Sequence, residues 1–429
     1  MRLEVPYGDG TQPIEVPDED LLCVAHPKDM PSVDGGQILL DALKHPLQSP
    51  PLNRFLEDAQ NVLVVVNDAT RPTPTPAVLA KIFPLLEGRK VRYLVATGAH
   101  RAPSDDECRK IFGEFYPRIR PHVLVHDARK SQTVLLGTSR HGTPLRVNRM
   151  VLDADRIIVI SSVEPHYFAG FTGGRKSFLP GLAALETIEA NHKMAMRDEV
   201  RVLRLEGNPV HEDMADLMRL LSGKRIFSIQ AVLDAKRRTC AMFTGDLEAS
   251  FRAAARQAEE IFVVRLERQA DIVVAVAEPP LDIDFYQITK AVETAKYAVR
   301  DGGALILVGA CWDGVGNSNW VDLLGQSETL EQCQERIANA YKLSNHKAAR
   351  IWKLGLRYRL IAVTGVAPEI IRQAHFTPAV SVQQALDVAM AALGRDAKIA
   401  ILLDAVHLVP LIEPALTACN HQQVAEKRG

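Results

Sequence analysis

The chain has 429 residues, of which 47% are hydrophobic and 24% are charged, and its 51 basic residues nearly balance its 52 acidic residues. A chain of this length exceeds what a single hydrophobic core usually serves, so we expect two domains. The formal charge of −1 gives no electrostatic reason to expect a nucleic acid or an anionic membrane as partner, and it leaves a small molecule as the expected ligand.

The cysteines and the start of the chain indicate the compartment. The six cysteines are scattered without a Cys-x-x-Cys pair, which argues against a disulfide framework, a structural zinc site and an iron–sulfur cluster. Residues 1–10 are polar and acidic, whereas a signal peptide is basic and then apolar. No apolar run approaches the ~20 residues that cross a bilayer. These features predict a reduced, cytoplasmic enzyme without membrane attachment.

Short, strongly apolar runs alternate with longer amphipathic stretches along the chain. In order, the runs occupy residues 62–66, 93–96, 123–125, 157–161, 227–232, 272–276, 304–308, 360–363 and 399–403. Runs this apolar predict strands that are buried on both faces, as in parallel sheets covered by helices. The predicted fold class is therefore α/β, with two domains built on mainly parallel sheets.

A charged segment at 261–271 separates two apolar runs and marks the predicted domain junction. We predict an N-terminal α/β domain over residues 1–268 and a C-terminal α/β domain over residues 269–404, with the tail, 405–429, packing back on the first domain. Polar clusters rich in glycine and proline follow the strand ends in both halves. Because open α/β sheets bind ligands at the carboxyl ends of their strands, we expect an active-site cleft between the domains.

The first two clusters follow the runs at 62–66 and 93–96. In the first, Arg71 has the planar guanidinium that grips a carboxylate, with Asp68 to orient it, although the same residues also suit an ordinary capped turn. In the second, His100 suits a general base, because imidazole titrates near neutral pH, and suits a structural role equally well. Neither cluster decides its function alone.

A dense glycine-rich segment, 164–181, follows the run at 157–161. A phosphate-binding P-loop needs glycine directly before its lysine, and this chain has Arg175 there, so we exclude an ATPase. The backbone amides around Gly173 and Gly174 still suit a phosphate. Farther on, His192 has no neighbours at the spacing of a metal box. A metal at His192 would need most of its ligands from elsewhere.

The fourth cluster opens the second domain with Tyr286, Gln287 and Lys290. Gln287 and Lys290 are three positions apart and would share one face of a helix. A solvent-facing lysine explains this pattern as well as a second cation, facing Arg71 across the cleft, for an anionic substrate.

Together the motifs resemble those of the nickel-dependent lactate racemase family. The resemblance is carried by Asp-Ala-Thr-Arg-Pro (68–72), Gly-Ala-His-Arg (98–101), the segment 165–176, His192 and Tyr-Gln-x-x-Lys (286–290). It implies an isomerase, a racemase or epimerase that inverts the hydroxyl-bearing carbon of a small 2-hydroxy acid such as lactate. Relatives with this chemistry also act on larger or more acidic 2-hydroxy acids and on sugar acids.

The resemblance also implies a cofactor, the nickel-pincer nucleotide, and with it the enzymes that make the cofactor as partners. This pyridinium-3,5-bisthiocarboxylate mononucleotide would be joined covalently to Lys176, in the loop that contains Gly173 and Gly174. Nickel would be bound by one carbon and two sulfurs of the cofactor and by the imidazole that matches His192. A planar environment of sulfur and nitrogen suits nickel.

The same resemblance implies the chemistry. Hydride passes reversibly from the substrate carbon to the cofactor and returns to the other face, while His100 and His166 act as bases on opposite sides. Arg71 and Lys290 would hold the substrate carboxylate, and Asp68 would orient Arg71. Tyr286 and Gln287 would position the substrate.

Two other functions remain open at the level of sequence. An NAD-type dehydrogenase needs Gly-x-Gly-x-x-Gly after a strand, and the nearest match, at 314–319, lacks the third glycine. A catalytically silent protein that binds the nickel cofactor would have no need of both histidines and both cations. The sequence assigns no role to Arg175 and no oligomeric state. It also leaves open whether Trp312 or Trp352, if either, stacks on the cofactor.

Overall fold

Two six-stranded sheets organise the part of the chain described by the computed structural model, residues 1–31 and 34–413. In chain order the strands are β1 (Arg2–Tyr7), β2 (Gly10–Glu15), β3 (Leu21–Ala25), β4 (Asn61–Asn67), β5 (Lys90–Ala96), β6 (Val123–Val125), β7 (Thr133–Thr138), β8 (Pro144–Asn148), β9 (Arg156–Ser162), β10 (Pro165–His166), β11 (Gly170–Phe171), β12 (Arg225–Leu233), β13 (Thr239–Gly245), β14 (Val263–Leu266), β15 (Ala270–Val276), β16 (Val299–Val308), β17 (Arg359–Val363), β18 (Thr377–Ala379), β19 (Ile399–Leu402) and β20 (Val409–Ile412). All the apolar runs singled out in the sequence overlap strands of these two sheets.

Helices connect and cover the strands. They are α1 (Gly35–Lys44), α2 (Leu52–Phe55), α3 (Thr75–Leu86), α4 (Asp105–Phe112), α5 (Tyr116–Ile119), α6 (Met150–Asp153), α7 (Leu185–Lys193), α8 (Pro209–Leu220), α9 (Leu247–Phe262), α10 (Phe285–Ala295), α11 (Asn319–Gly325), α12 (Leu330–Asn339), α13 (Asn345–Gly355), α14 (Pro368–Gln373) and α15 (Val382–Leu393). No helix in the described ranges combines the length and the apolar character that crossing a membrane requires.

The first sheet has the strand order β13-β12-β9-β4-β5-β6, and only the pairing of β13 with β12 is antiparallel. The second sheet has the order β18-β17-β16-β15-β19-β3, and all its pairings are parallel. Alternate residues of the central strands face two separate cores, one on each side of their sheet. The predicted α/β class with mainly parallel sheets is confirmed.

The start of the chain packs on the second sheet and contributes its edge strand. Strand β3 pairs with β19 at the edge of that sheet, and Val5, Ile14 and Val16 pack into one of its two cores. The sequence-based division, which assigned all of residues 1–268 to the first domain, differs from this arrangement. A short edge strand carries no local signal of which sheet it joins, because its partner lies at the other end of the chain.

The described part of the predicted tail pairs with the segment before the domain junction. Strand β20 runs parallel to β14, with Val263 opposite Val409. Residues 414–429 of the tail lie outside the described residues. The boundary at residue 268 stays a prediction. The structure departs from the predicted division at the start of the chain, where β3 joins the second sheet.

Candidate active site

Cations from both domains lie near one another at the carboxyl ends of the strands. Arg71 follows β4, Lys176 lies in a 3-10 turn after β11, and Lys290 lies on α10. Burial, and then the charge of Arg71, lowers the pKa of Lys290 to about 7. Burial and the charges of Arg71 and Lys290 likewise hold the pKa of Lys176 well below its ordinary value. The three cations are therefore close enough to repel one another.

His100, after β5, lies against a buried carboxylate. Its Nδ1 is 2.7 Å from Oδ2 of Asp68, while Oδ1 of Asp68 accepts hydrogen bonds from the amide and the hydroxyl of Thr70. Burial alone would raise the pKa of Asp68, but the bonds from His100 and Thr70 outweigh burial and lower it. Because the Asp68 carboxylate accepts a hydrogen bond from Nδ1–H, the tautomer that this contact favours has its lone pair at Nε2. The His100 side chain is 52% exposed, so the ring lies open on the side away from Asp68.

Arg71 pairs with Glu164 rather than with Asp68. The guanidinium Nη1 donates to Oε1 of Glu164 in a short charge-assisted bond across 93 positions of sequence. Burial opposes ionisation of Glu164, but the charges of Arg71 and His407 hold its pKa below the ordinary value. The orientation of Arg71 by Asp68 stays a prediction, and no side-chain bond between the two residues supports it. Their side chains have different partners because β4 lies between β5 and β9, so Asp68 meets the residue after β5 and Arg71 the residue after β9.

Sequence reasoning missed the role of Glu164, although Glu164 directly precedes the Pro-His pair of the glycine-rich segment. We expect Glu164→Gln to lower the free energy of unfolding by about 3 kcal/mol at neutral pH, since it leaves Arg71 largely buried without its counter-charge. Because the folded-state pKa of Glu164 is lowered, this stabilisation exists above the unfolded carboxyl pKa of ~4.3 and is lost as the pH falls. Urea unfolding near neutral pH and at about pH 3 measures the difference between variant and wild type.

Glu278 provides the matched control for this prediction, because it lines the same small cavity as Arg71 and Glu164. Burial and the charge of Asp404 raise the pKa of Glu278, so its ionised form is not favoured by the fold. We expect Glu278→Gln to leave stability at neutral pH unchanged or slightly higher. If Glu164→Gln destabilised the protein equally at both pH values, the assigned ion pair would be refuted.

His166 lies in a tight hairpin made by β10 and β11, with His166 opposite Gly170. Gly170 has a φ of 79°, and a Cβ there would lie 2.5 Å from the carbonyl oxygen of Arg204, so only glycine fits. The hairpin buries the His166 ring, and the Ala169 amide donates to its Nδ1 at 3.3 Å. Burial and the charge of Lys176 hold the pKa of His166 well below its ordinary value. His166 is therefore a neutral imidazole inside the site.

Lys176 follows two glycines in a cramped turn. Gly173 and Gly174 have φ values of 76° and 51°, and a Cβ on either would lie within 2.7 Å of Val163 or Phe251. The amide of Gly174 already donates to Oε1 of Gln230 at 3.0 Å. Close packing is thus a sufficient reason for both glycines, and a phosphate contact at Gly173 and Gly174 stays a prediction.

His192, near the end of α7, lies beside Lys176. The Phe168 ring centroid is 4.9 Å from that of His192 and 5.9 Å from Nζ of Lys176. Burial, and then the charge of Lys176, lowers the pKa of His192 to about 3. Nδ1 of His192 is buried and has no hydrogen-bond partner in the described residues. A neutral imidazole with an unpaired nitrogen and a deprotonation-prone amine therefore lie together, and Phe168 is a wall of this site that sequence reasoning missed.

The start of α10 contributes residues of the second domain to the site. The Asp284 side chain caps α10 by accepting from the amide of Gln287 at 2.7 Å. Gln287 and Lys290 share a helix face, as their spacing predicts, and Nζ of Lys290 donates to Oε1 of Gln287 at 2.5 Å. Tyr286 is partly buried in the same turn, and desolvation raises its pKa to about 12. Lys290 thus has a neutral partner and no carboxylate hydrogen-bonded to it among the described residues.

Arg175 points away from this cluster. Its guanidinium bonds to His211 on α8 and to Glu248 on α9, and it lies 5.9 Å from the Phe251 ring centroid. Arg175, whose place before Lys176 excludes a P-loop, therefore joins the turn that contains Lys176 to α8 and α9. Of the two tryptophans considered above, Trp352 packs edge-on against His375 at 4.3 Å, and Trp312 is 70% exposed.

The glycine segment at 314–319, which most resembled a dinucleotide motif, closes the start of α10. The carbonyls of Gly314 and Val315 accept from the amides of Phe285 and Tyr286. A Cβ at Gly316 would lie 2.6 Å from the Asp284 carboxyl group. Packing against the α10 cap therefore accounts for Gly316, and the φ of 73° accounts for Gly314.

Comparisons with known proteins add an independent observation. Residues 7–202 match the family model of the lactate racemase N-terminal domain, and residues 266–409 match that of the lactate racemase C-terminal domain. The chain is 28% identical to a lactate racemase of Thermoanaerobacterium thermosaccharolyticum over 423 residues, covering 95% of this chain and 99% of that protein. It is also 28% identical to a lactate racemase of Lactiplantibacillus plantarum over 380 residues, covering 86% of this chain and 89% of that protein.

Solved structures agree with the observed fold. The lactate racemase apoprotein from T. thermosaccharolyticum superposes with a TM-score of 0.88 at 28% identity, over 96% of this chain and 100% of that chain. A protein from Thermotoga maritima superposes with a TM-score of 0.66 at 17% identity, over 84% of this chain and 96% of that one. The second likeness concerns the fold alone.

Proposed function

Because the chain belongs to the lactate racemase family and is an enzyme of the racemase kind, we propose that it inverts the hydroxyl-bearing carbon of a small 2-hydroxy acid. The observation that carries the proposal is the convergence of Arg71, Lys290, His100 and His166, from two domains, beside Lys176 and His192. Lactate is the first candidate substrate, since it is the acid named for both curated relatives.

The two cations Arg71 and Lys290 suit the carboxylate of such an acid. Glu164 engages one nitrogen of the Arg71 guanidinium and leaves donors for a second carboxylate. Lys290 has a pKa of about 7 because it is buried near Arg71, and a bound anion would raise that pKa and favour the ammonium form. Substrate binding would therefore supply the counter-charge that Lys290 lacks.

His100 and His166 suit the two bases that a racemase needs to accept either enantiomer. His100 is oriented by Asp68 and offers Nε2 as the accepting nitrogen. His166 is buried beside cations that lower its pKa, and an anionic substrate would offset those cations and raise that pKa toward the range of a general acid or base. In each turnover one histidine would start neutral and remove the hydroxyl proton from one enantiomer. The other would start protonated and give its proton to the carbonyl oxygen as the opposite enantiomer forms.

Lys176 and His192 suit a covalently attached metal cofactor. The lowered pKa of Lys176 favours the neutral amine, the form that acylates to an amide or thioamide. No group of three or more His, Cys, Asp or Glu side chains within residues 1–31 and 34–413 could hold a metal ion. His192 alone would be one ligand of four, so the remaining ligands have to come from a bound group. A nickel-pincer nucleotide, when bound, supplies those ligands and reversibly accepts hydride from the substrate carbon.

The deciding experiment uses protein co-expressed with the enzymes that make the cofactor. We expect an increase in intact mass, bound nickel, and loss of optical rotation from single-enantiomer lactate or another 2-hydroxy acid. The T. thermosaccharolyticum racemase expressed in the same host is the control for cofactor supply. If the control acquires the cofactor and this chain acquires neither mass nor nickel, the cofactor proposal is wrong. Full cofactor content without racemisation of any acid would favour the catalytically silent cofactor-binding protein.

A further inference from the structure

Helix α13 of the second domain presents three ionisable side chains to the interior, His346, Lys347 and Arg350. We propose that Arg350 is a positioning residue that sets the substrate-binding helix α10 against the elements that carry His166 and His192. The proposal rests on the function proposed above and assigns a role outside the motifs that identify the family.

The Arg350 guanidinium is 8% exposed and uses its donors in two directions. Nε and Nη2 form a fork on the Glu293 carboxylate at 2.5 and 2.6 Å, and Nη1 donates to the carbonyl oxygen of Ala195 at 2.7 Å. The guanidinium carbon also lies 5.5 Å from the centroid of the Tyr167 ring. One side chain therefore contacts three separate segments of the chain.

On the second-domain side, the contact reaches the substrate-binding helix. Glu293 is one turn after Lys290 on α10, so the fork on Glu293 holds the face that carries Lys290. One turn before Arg350, the fully buried Lys347 donates to the carbonyl of Tyr286 at 2.6 Å and to Oγ1 of Thr289 at 2.5 Å. Helix α13 thus holds α10 at its first and third turns.

On the first-domain side, the same guanidinium reaches the neighbours of two candidate site histidines. Ala195 is three residues after His192, in the 3-10 turn that ends α7. Tyr167 directly follows His166, and its ring stacks on the His166 ring with centroids 5.1 Å apart. A shift of Arg350 would therefore change the positions of His166 and His192 as well as that of Lys290.

The chemistry of this contact requires arginine. A planar guanidinium donates a fork to one carboxylate and a third bond in another direction, whereas an ammonium is a point charge on a flexible stem. Buried ion pairs seldom add net stability over apolar residues of similar volume. The Arg350–Glu293 pair therefore suits a role in geometry.

The test compares Arg350→Lys with Lys353→Ala. Lys353, one turn later on α13, pairs with Asp198 and the Met196 carbonyl but is partly exposed, so its loss should matter little. In protein carrying the cofactor, we expect Arg350→Lys to lower kcat for a single enantiomer about 100-fold, with a smaller change in KM, because small misplacements of reacting groups cost that much. The Lys353→Ala variant should stay within about threefold of the wild type.

A second measurement does not depend on activity. In protein without the cofactor, hydrogen exchange should be faster in Arg350→Lys at residues 188–195 and 285–295 together. In Lys353→Ala, whose bonds are to Met196 and Asp198, exchange at 285–295 should be unchanged. If wild-type protein racemises no acid, the proposed function fails while the exchange measurement still tests Arg350. Wild-type kcat and wild-type exchange in Arg350→Lys would overturn the positioning role.

A double variant separates positioning from stability. Arg350→Met with Glu293→Leu removes both charges of the buried pair and keeps their volume. Lys296, which also pairs with Glu293, is 22% exposed and can turn toward solvent, so the fold should persist. Since the bond to Ala195 is lost, we expect kcat to remain about 100-fold below that of the wild type even when thermal unfolding is unchanged. A stable double variant with wild-type kcat would show that Arg350 serves only to neutralise Glu293.

Discussion

We expect Lys176→Ala, expressed with the enzymes that make the cofactor, to lack the covalent mass increase and to lose racemisation by about 10⁴-fold or more. The physical reason is that Lys176 combines burial with two neighbouring cations, which hold its pKa well below the ordinary value and leave a nucleophilic amine. No hydrogen bond within the described residues neutralises or restrains this amine. Intact-protein mass spectrometry and optical rotation on the same preparation measure the two losses.

Lys81→Ala is the control for this prediction, because Lys81 is an exposed lysine on α3. It should acquire the same mass increase as the wild type and racemise at the same rate. An undiminished mass increase in Lys176→Ala would move the attachment to another residue. A Lys176→Ala variant without the adduct but with normal activity would remove the covalent cofactor from the mechanism.

The second large effect is expected for His192→Ala, which should lose nickel and racemisation but keep the organic part of the covalent adduct. The reason is that His192 is a neutral imidazole, with a pKa of about 3, whose Nδ1 has no hydrogen-bond partner in the described residues. Since no cluster of three or more ligand side chains lies within the described ranges, loss of this imidazole leaves the metal without a protein ligand. Metal analysis after dialysis, alongside intact mass, distinguishes loss of nickel from loss of the adduct.

Two comparisons sharpen the test of His192. His141→Ala removes a histidine that pairs with Glu212 outside the site, and it should leave nickel content unchanged. Added imidazole should restore part of the nickel and activity in His192→Ala, because it can occupy the space of the missing ring. Nickel at wild-type stoichiometry in His192→Ala, without imidazole, would exclude His192 as a ligand.

In this site, charged side chains that follow neighbouring strands of the first sheet form pairs. The loop after β4 supplies Asp68 to His100, after β5, and Arg71 to Glu164, after β9. One loop thereby orients the proposed base, His100, and supplies the proposed carboxylate-binding cation, Arg71. The arrangement explains why the side chains of Asp68 and Arg71, which share a backbone hydrogen bond in this turn, bond to different partners.

The sequence by itself determined the fold class and several features of the site. Apolar runs such as 157–161 predict buried parallel strands because burial on both faces leaves no position for a polar side chain. The spacing of Gln287 and Lys290 predicts a shared helix face because an α-helix turns every ~3.6 residues. These are local patterns, readable within one element. The family resemblance, which rests on motifs such as Asp-Ala-Thr-Arg-Pro at 68–72, is confirmed by matches over both domains.

Only the tertiary structure decided which charges meet. The pairing of Arg71 with Glu164 depends on β9 lying beside β4, and that of Arg350 with Glu293 depends on α13 packing on α10. The place of β3 at the edge of the second sheet depends on β19, which is formed near the other end of the chain. Such contacts join distant residues, and their partners are selected by strand order and helix packing. Local sequence patterns do not indicate the strand order or the helix packing.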